Sequence, residues 1–425
     1  MKKSTWRQHH KWLGIVLAPF IILFCFSGIV LNHAGLLADV NISRKLLPAE
    51  YRYDRWNKGL LRGTMKWNCK TLIYGNSGIW LKEESNGTIR DFNRGLPNGA
   101  DHRSIRGVVS MPNGFLYAIS QYNLYCLNEC GAWMRIDLPN DEHERLSDIT
   151  QKNDSLIITG RSHIYLSHVP YHTFQKITLK KGGNDKGKVS LFRTTWLLHG
   201  GGLFGIVGKL FVDLVGLILL FLSISGIYYS FAPRPHSSFG ARIKSWLIKW
   251  HNQIGWASIF FLLLLTITGW MLRPPALIAI ASAKIPPIPF SAMDSDNPWN
   301  DCLRSLRYDD DKEDWLLCTS DGFYSLRHLS DTPQKEQVQP RVSVMGINVE
   351  QKDSRHKWLI GSFSGLYVWD RPHEEVTDYF THHAPQPTSE MPISSHPISG
   401  FSSDIEDAEL VVDYNKGCRR LSMPN

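Results

Sequence analysis

Residues 358–369 read Trp358-Leu359-Ile360-Gly361-Ser362-Phe363-Ser364-Gly365-Leu366-Tyr367-Val368-Trp369. An apolar strand, a small polar turn and an aromatic-bearing strand follow one another, which is the pattern of a β-hairpin. The same order recurs at five other places. Leu72-Ile73-Tyr74-Gly75 precedes Gly78-Ile79-Trp80, Leu116-Tyr117-Ala118 precedes Leu124-Tyr125, and Leu156-Ile157-Ile158 precedes Ile164-Tyr165. Farther along, Leu316-Leu317-Cys318 precedes Gly322-Phe323-Tyr324, and Leu410-Val411-Val412 precedes Gly417-Cys418-Arg419.

From one leading leucine to the next the spacings are 44, 40, 160, 43 and 51 residues. Repeats of about 40 to 50 residues fit one four-stranded propeller blade each. The expected all-β domain is therefore one β-propeller of six or seven blades, built from two chain segments that flank an insertion. Two separate sandwich or sheet domains are the alternative, but half-propellers would leave strand edges unpaired, and closure removes them. The unit at 358–369 resembles the periplasmic sensor propeller repeats of bacterial two-component regulators.

Three apolar runs reach the roughly 20 residues needed to cross a bilayer. Trp12 to Asn32 and Ile254 to Leu272 carry no charge, and Leu203 to Phe231 is interrupted only by Lys209 and Asp213. The first run is too long for a usual signal-peptide core and lacks a small-x-small cleavage site, so it is read as a span. Ala276 to Ala283 is too short to cross and fits an interfacial turn of helix.

Charge orients the spans. Lys2, Lys3, Arg7, Lys11, Arg234, Arg242, Lys244 and Lys249 account for the whole excess of 47 basic over 39 acidic residues. All eight adjoin the apolar runs, which is a positive-inside pattern and excludes a nucleic-acid footprint. The expected order is 1–11 cytoplasmic, 12–32 membrane, 33–202 periplasmic, 203–231 membrane, 232–253 cytoplasmic loop and helix start, 254–272 membrane and 273–425 periplasmic. The N-terminus then lies in the cytoplasm and the C-terminus in the periplasm. Six of the seven cysteines fall in the outer segments, where disulfides are permitted and core roles are equally open.

Histidines carry the chemical signal. His10 is followed by Gly14 and Gly28, and His251 by Gly255 and Gly269, at the same offsets of 4 and 18. Residues four apart share a helix face, so each glycine would leave room beside its histidine for a flat ligand. His33 closes the first span and His199 precedes the second. That topology pairs His10 with His251 at the inner face and His33 with His199 at the outer face. Such pairs suit axial ligation of one or two b-type haems, with interfacial anchoring as the alternative role. His10 and His33 are 23 residues apart, about 34 Å along a straight helix, so transfer between the faces would need inward-projecting rings or bridging aromatics. Lys209 and Asp213, at i and i+4, are expected to pair and are functional candidates because charge inside a membrane is costly.

Arg7, His10, Trp12-Leu13-Gly14 and Ser27-Gly28-Ile29-Val30-Leu31-Asn32-His33, with His199-Gly200, Lys209, Asp213, Gly216, Ser225-Gly226, His251, Gly255 and Thr268-Gly269, resemble the PepSY-associated transmembrane helix family. The resemblance implies a bacterial inner-membrane protein similar to haem-containing ferric-siderophore reductases that act with TonB-dependent iron uptake. Three spans without a fourth, and a propeller-like domain in place of PepSY modules, depart from that pattern and leave the substrate open.

The expected function is a haem-bearing electron conduit in the inner membrane, with b-type haem ferric reductase activity toward a periplasmic ferric chelate. A non-enzymatic membrane-anchored sensor or scaffold for an uptake system is the alternative. Gly200 to Gly202 open a membrane helix and follow no parallel-sheet strand, so no NAD or FAD fingerprint is present there. Electrons would come from quinol or a separate cytoplasmic donor. The expected partners are the lipid bilayer, that donor, and a ferric chelate or periplasmic uptake component.

Overall fold

The computed structural model describes residues 3–38, 40, 46, 48, 55–139, 144–182, 187–231, 237–343, 345–385, 396–405 and 408–418. Lys2, Arg234 and Arg419 of the preceding reading lie outside the described residues. Two compact units make up the chain. Residues 1–37 and 187–294 form a helical unit, and residues 38–186 and 295–425 form a β unit.

Among the described residues, three helices of the first unit are long and apolar enough to cross a membrane. They run Lys3–Asn32, Gly205–Phe231 and Ser238–Met271. The third begins well before its apolar run because the Ser237 hydroxyl accepts from the Gly240 N–H at 3.1 Å, capping a basic first stretch. Leu13, Phe24, Val207 and Phe260 are 61% to 72% exposed. Such an apolar surface needs lipid around it. The helices alternate in direction: Asn32 and His33 at the end of the first reach Asp213 early in the second, while His251 of the third meets Ser225 late in the second. Ala276–Ala281 forms a short helix, as expected.

The β unit contains six antiparallel sheets among the described residues. The first five have four strands each, arranged in chain order. They begin with Gly63–Trp67, Gly107–Ser110, Leu146–Lys152, Leu303–Asp309 and Ile347–Lys352. Five of the six hairpin units supply the second and third strands of these sheets. The sixth unit is a correction. Ala408–Asp413 pairs with the preceding Ile398–Ile405, and beyond it, among the described residues, only the bridge between Asp413 and Gly417 forms.

Alternate residues of each second strand face opposite ways, so adjacent apolar residues serve two different cores. Leu72 packs toward the second sheet with Leu116, whereas Ile73 packs toward the sixth with Val412. Tyr117 packs with Leu156, and Ile157 with Leu317. Leu316 then packs with Ile360, and Leu359 with Phe401. Six apolar clusters thus link each sheet to the next and the last to the first. The third and fourth sheets, separated by the membrane segment in sequence, are neighbours: Trp299 Nε1 donates to the Lys180 carbonyl at 2.9 Å. All seven cysteines are free thiols.

Candidate functional site

The helical unit brings His10 and His251 together, with ring centres 6.2 Å apart and planes at 67°. His251 Nδ1 lies 2.9 Å from Ser225 Oγ. That hydroxyl already donates to the Phe221 carbonyl at 2.6 Å, so it accepts from the ring. The proton is therefore on Nδ1, which leaves the Nε2 lone pair available. His199 is held in the same way: Thr268 Oγ1 donates to Leu264 at 2.8 Å and accepts from His199 Nδ1 at 3.1 Å.

The glycines act between helices and not at i+4 on the same helix. An alanine methyl at Gly226 would stand 3.5 Å from His251 Cε1, and one at Gly269 would stand 2.9 Å from His199 Cε1. By contrast, a methyl at Gly14 would meet nothing within 4 Å, and one at Gly255 would meet only Leu222 at 3.7 Å.

The expected outer partners His33 and His199 each take a different neighbour. His33 Nε2 is 2.6 Å from Asp213 Oδ2, and Asn32 Nδ2 donates to Asp213 Oδ1 at 3.1 Å. Asp213 therefore pairs across to the first helix, which corrects the expected Lys209–Asp213 pair. An i,i+4 contact inside one helix would leave Asn32 and His33 unsatisfied in an apolar setting.

A second constellation lies in the β unit. Arg62, Arg106, Arg145, Arg161, Arg304 and Arg307 line one cavity of about 160 Å³. Arg307 forms a two-pronged ion pair with Asp148, one prong measuring 2.8 Å, and Arg161 Nε donates to Asp301 at 3.0 Å. Burial pulls the Arg307 guanidinium down in pKa, but Asp148 more than reverses this. The Nε–H groups of Arg62 and Arg106 are buried without an acceptor. Repulsion from Arg62, together with burial, lowers the Arg106 pKa to about 9. Burial, then Arg161, lowers Arg304 to about 10. Burial raises the Glu350 carboxyl to about 7 against the pull of Arg307.

Residues 141–337 match the family described as PepSY-associated TM region. That stretch is similar to a PepSY-associated TM region. That region takes in His199, Asp213, Ser225, His251 and Thr268, while His10 and His33 on the first helix precede the match. No curated protein matches the chain at a significant level. Solved structures share weak likeness. The extracellular domain of the putative hybrid two component system BT4673 from B. thetaiotaomicron has a TM-score of 0.41 at 10% identity, over 84% of this chain and 32% of that one. PorZ of the type-IX secretion system of Porphyromonas gingivalis has a TM-score of 0.36 at 12% identity, over 88% and 39%. The chain spans about a third of the length of the first solved structures it matches.

The arginine cavity of the β unit is not among the features expected from the sequence. A signal was present: Arg62, Arg106, Arg145 and Arg304 stand 10, 10, 11 and 12 residues before the leading leucines of their hairpin units. A charge held in phase with a structural repeat points to one shared face.

Proposed function

We propose that the chain is an electron conduit of the bacterial inner membrane, with b-type haem held between His10 and His251, and that it reduces a ferric complex on the side of the β unit. The six sheets are read as one six-bladed propeller serving as a platform for that complex. The observation that carries the reading is the His10–His251 pair. Metal–imidazole bonds of about 2 Å on either side of one ion put the two ring centres about 6 Å apart, and these rings stand at 6.2 Å.

The surrounding residues suit this use. Ser225 fixes the His251 tautomer so that Nε2 keeps a lone pair for a ligand, a role that hydrogen-bonded neighbours commonly play for metal-binding imidazoles. Thr268 does the same for His199, and Asp213 orients His33 and leaves its Nδ1 lone pair available. Gly226 lies against the His251 ring at the helix interface. His33 and His199 are the candidates for a second haem. Bound haem would supply one-electron transfer between a quinol or cytoplasmic donor and the ferric acceptor. Basic residues near Lys11 and Lys249 support a cytoplasmic position for that end of the bundle.

Visible spectroscopy of the purified protein after haem-replete expression tests this reading. A Soret band with sharp bands on reduction supports it. A colourless protein would leave the sensor or scaffold role, which the arginine cavity favours as a place to bind a ligand without redox chemistry.

A further inference from the structure

We infer that the arginine-lined cavity of the β unit binds a small multivalent oxyanion, a molecule carrying two or more carboxylate or phosphate groups. The site is distinct from the membrane histidines and does not depend on haem. Its lining comes from five sheets and its arginines from four of them: Arg62 and Arg106 enter the first strands of the first and second, Arg145 and Arg161 flank strands of the third, Arg304 and Arg307 lie in the first strand of the fourth, and Glu350 lies in the first strand of the fifth. The arginines are up to 245 positions apart in sequence. Convergence of one residue type from four repeats onto one cavity is a property of the folded unit, not of local composition.

Charge balance points to an anion. Against six guanidinium groups stand Asp148 and Glu350 in the lining and Asp301 behind Arg161, which leaves three positive charges uncompensated. Like charges gathered in a partly desolvated space repel, and the lowered affinity of Arg106 for its proton reports that repulsion. The Nε–H groups of Arg62 and Arg106 are buried without an acceptor, so the crowded guanidinium groups are not fully satisfied within the protein. Guanidinium forks match carboxylate and phosphate oxygens in pairs, and arginine is the residue expected where such recognition is needed. The cavity volume of about 160 Å³ suits a compact molecule such as a tricarboxylate or pyrophosphate and is too small for a polymer segment.

The test is calorimetric titration of the full-length protein in detergent with citrate, pyrophosphate, acetate and chloride at matched ionic strength. Saturable binding of citrate or pyrophosphate, at least about tenfold tighter than acetate, is expected, and the tighter of the two identifies carboxylate or phosphate as the preferred group. Arg106→Gln should weaken binding about tenfold or more while raising the thermal midpoint of the free protein, because it relieves repulsion with Arg62. A purely structural arginine would lower that midpoint. Arg145→Gln, at an exposed rim position, keeps the test open if the Arg106 variant folds poorly. The inference is overturned by the absence of saturable binding of either multivalent anion to the wild type. Binding that both variants leave unchanged would overturn it equally.

Discussion

His33 Nε2 lies 2.6 Å from Asp213 Oδ2 and ties the end of the first membrane helix to the second, 180 residues later. The Asn32 amide grips the other carboxylate oxygen at 3.1 Å. A charged group inside an apolar helix is costly alone, and here two donors from one neighbour satisfy it.

Asp213→Ala should therefore lower the stability of the detergent-solubilised protein by roughly 2 kcal/mol, since it leaves two partly buried donors without an acceptor. Asp213→Asn, which keeps an oxygen, should cost about half as much. Thermal unfolding followed by tryptophan fluorescence reads both. Equal stability of the alanine variant and the wild type would show that the pair holds nothing together.

The glycines facing the two imidazoles predict opposite outcomes for the same substitution. An alanine methyl at Gly269 would sit 2.9 Å from His199 Cε1, closer than packing allows. Gly269→Ala should push the ring off Thr268 and cost about 1–3 kcal/mol. At Gly226 the corresponding distance to His251 is an ordinary 3.5 Å, so Gly226→Ala should stay within about 0.5 kcal/mol of the wild type. The two thermal midpoints measured side by side decide it.

Arg371 is fully buried and bonds Asp314 at 2.8 and 3.0 Å while also holding Asp309 and Glu336. It joins the fifth sheet to the fourth. Arg371→Ala leaves three carboxylates around an empty position and should destabilise the protein by about 3–5 kcal/mol. Urea unfolding of the β unit's tryptophans in the full-length protein should show the loss, and an unchanged midpoint would contradict it.

Glu350 predicts a pH dependence. Burial, opposed by Arg307, raises its pKa from 4.5 to about 7, so the folded state holds a proton that the unfolded chain releases earlier. Stability from this site is present below pH 4.5 and is lost as pH rises through 7. Glu350→Gln cannot lose that proton. The gap in stability between the variant and the wild type should therefore widen in the variant's favour between pH 5 and 8, by roughly 2 kcal/mol. A constant gap across that range would contradict the assignment.

How much of this was readable in the sequence depended on range. The Leu-Ile and Leu-Leu pairs at 72, 156 and 316 announced strands because each side chain serves a separate core, and the hairpins followed. Ile398–Ile405 was missed because its Ser-Gly-Phe-Ser-Ser-Asp interior lacks an apolar run, which handed its partner strand to the wrong neighbour. In the membrane unit the four histidines and their Ser, Thr and Gly companions were visible, but their partners were sought at i+4. The real contacts of Gly226 and Gly269 run between helices, which no periodicity within one helix reveals. The arginines were overlooked for a related reason: each alone reads as a solvated strand end, and only packing of the sheets brings Arg62 near Arg106 and Arg161 near Arg304.

His10 and His251 hold their ring centres 6.2 Å apart. Haem ligation by this pair is tested most directly by the dithionite-reduced minus oxidised absorption spectrum of the purified wild type beside His251→Ala, His10→Ala and, at the histidine adjacent to His10 in sequence, His9→Ala, at equal protein concentration. The wild type should show the sharp visible bands of a b-type haem with two imidazole ligands, lost or converted to a high-spin form in the His251 and His10 variants and retained in the His9 variant. A wild-type protein without those bands, or bands of full amplitude in both the His10 and His251 variants, would contradict the account.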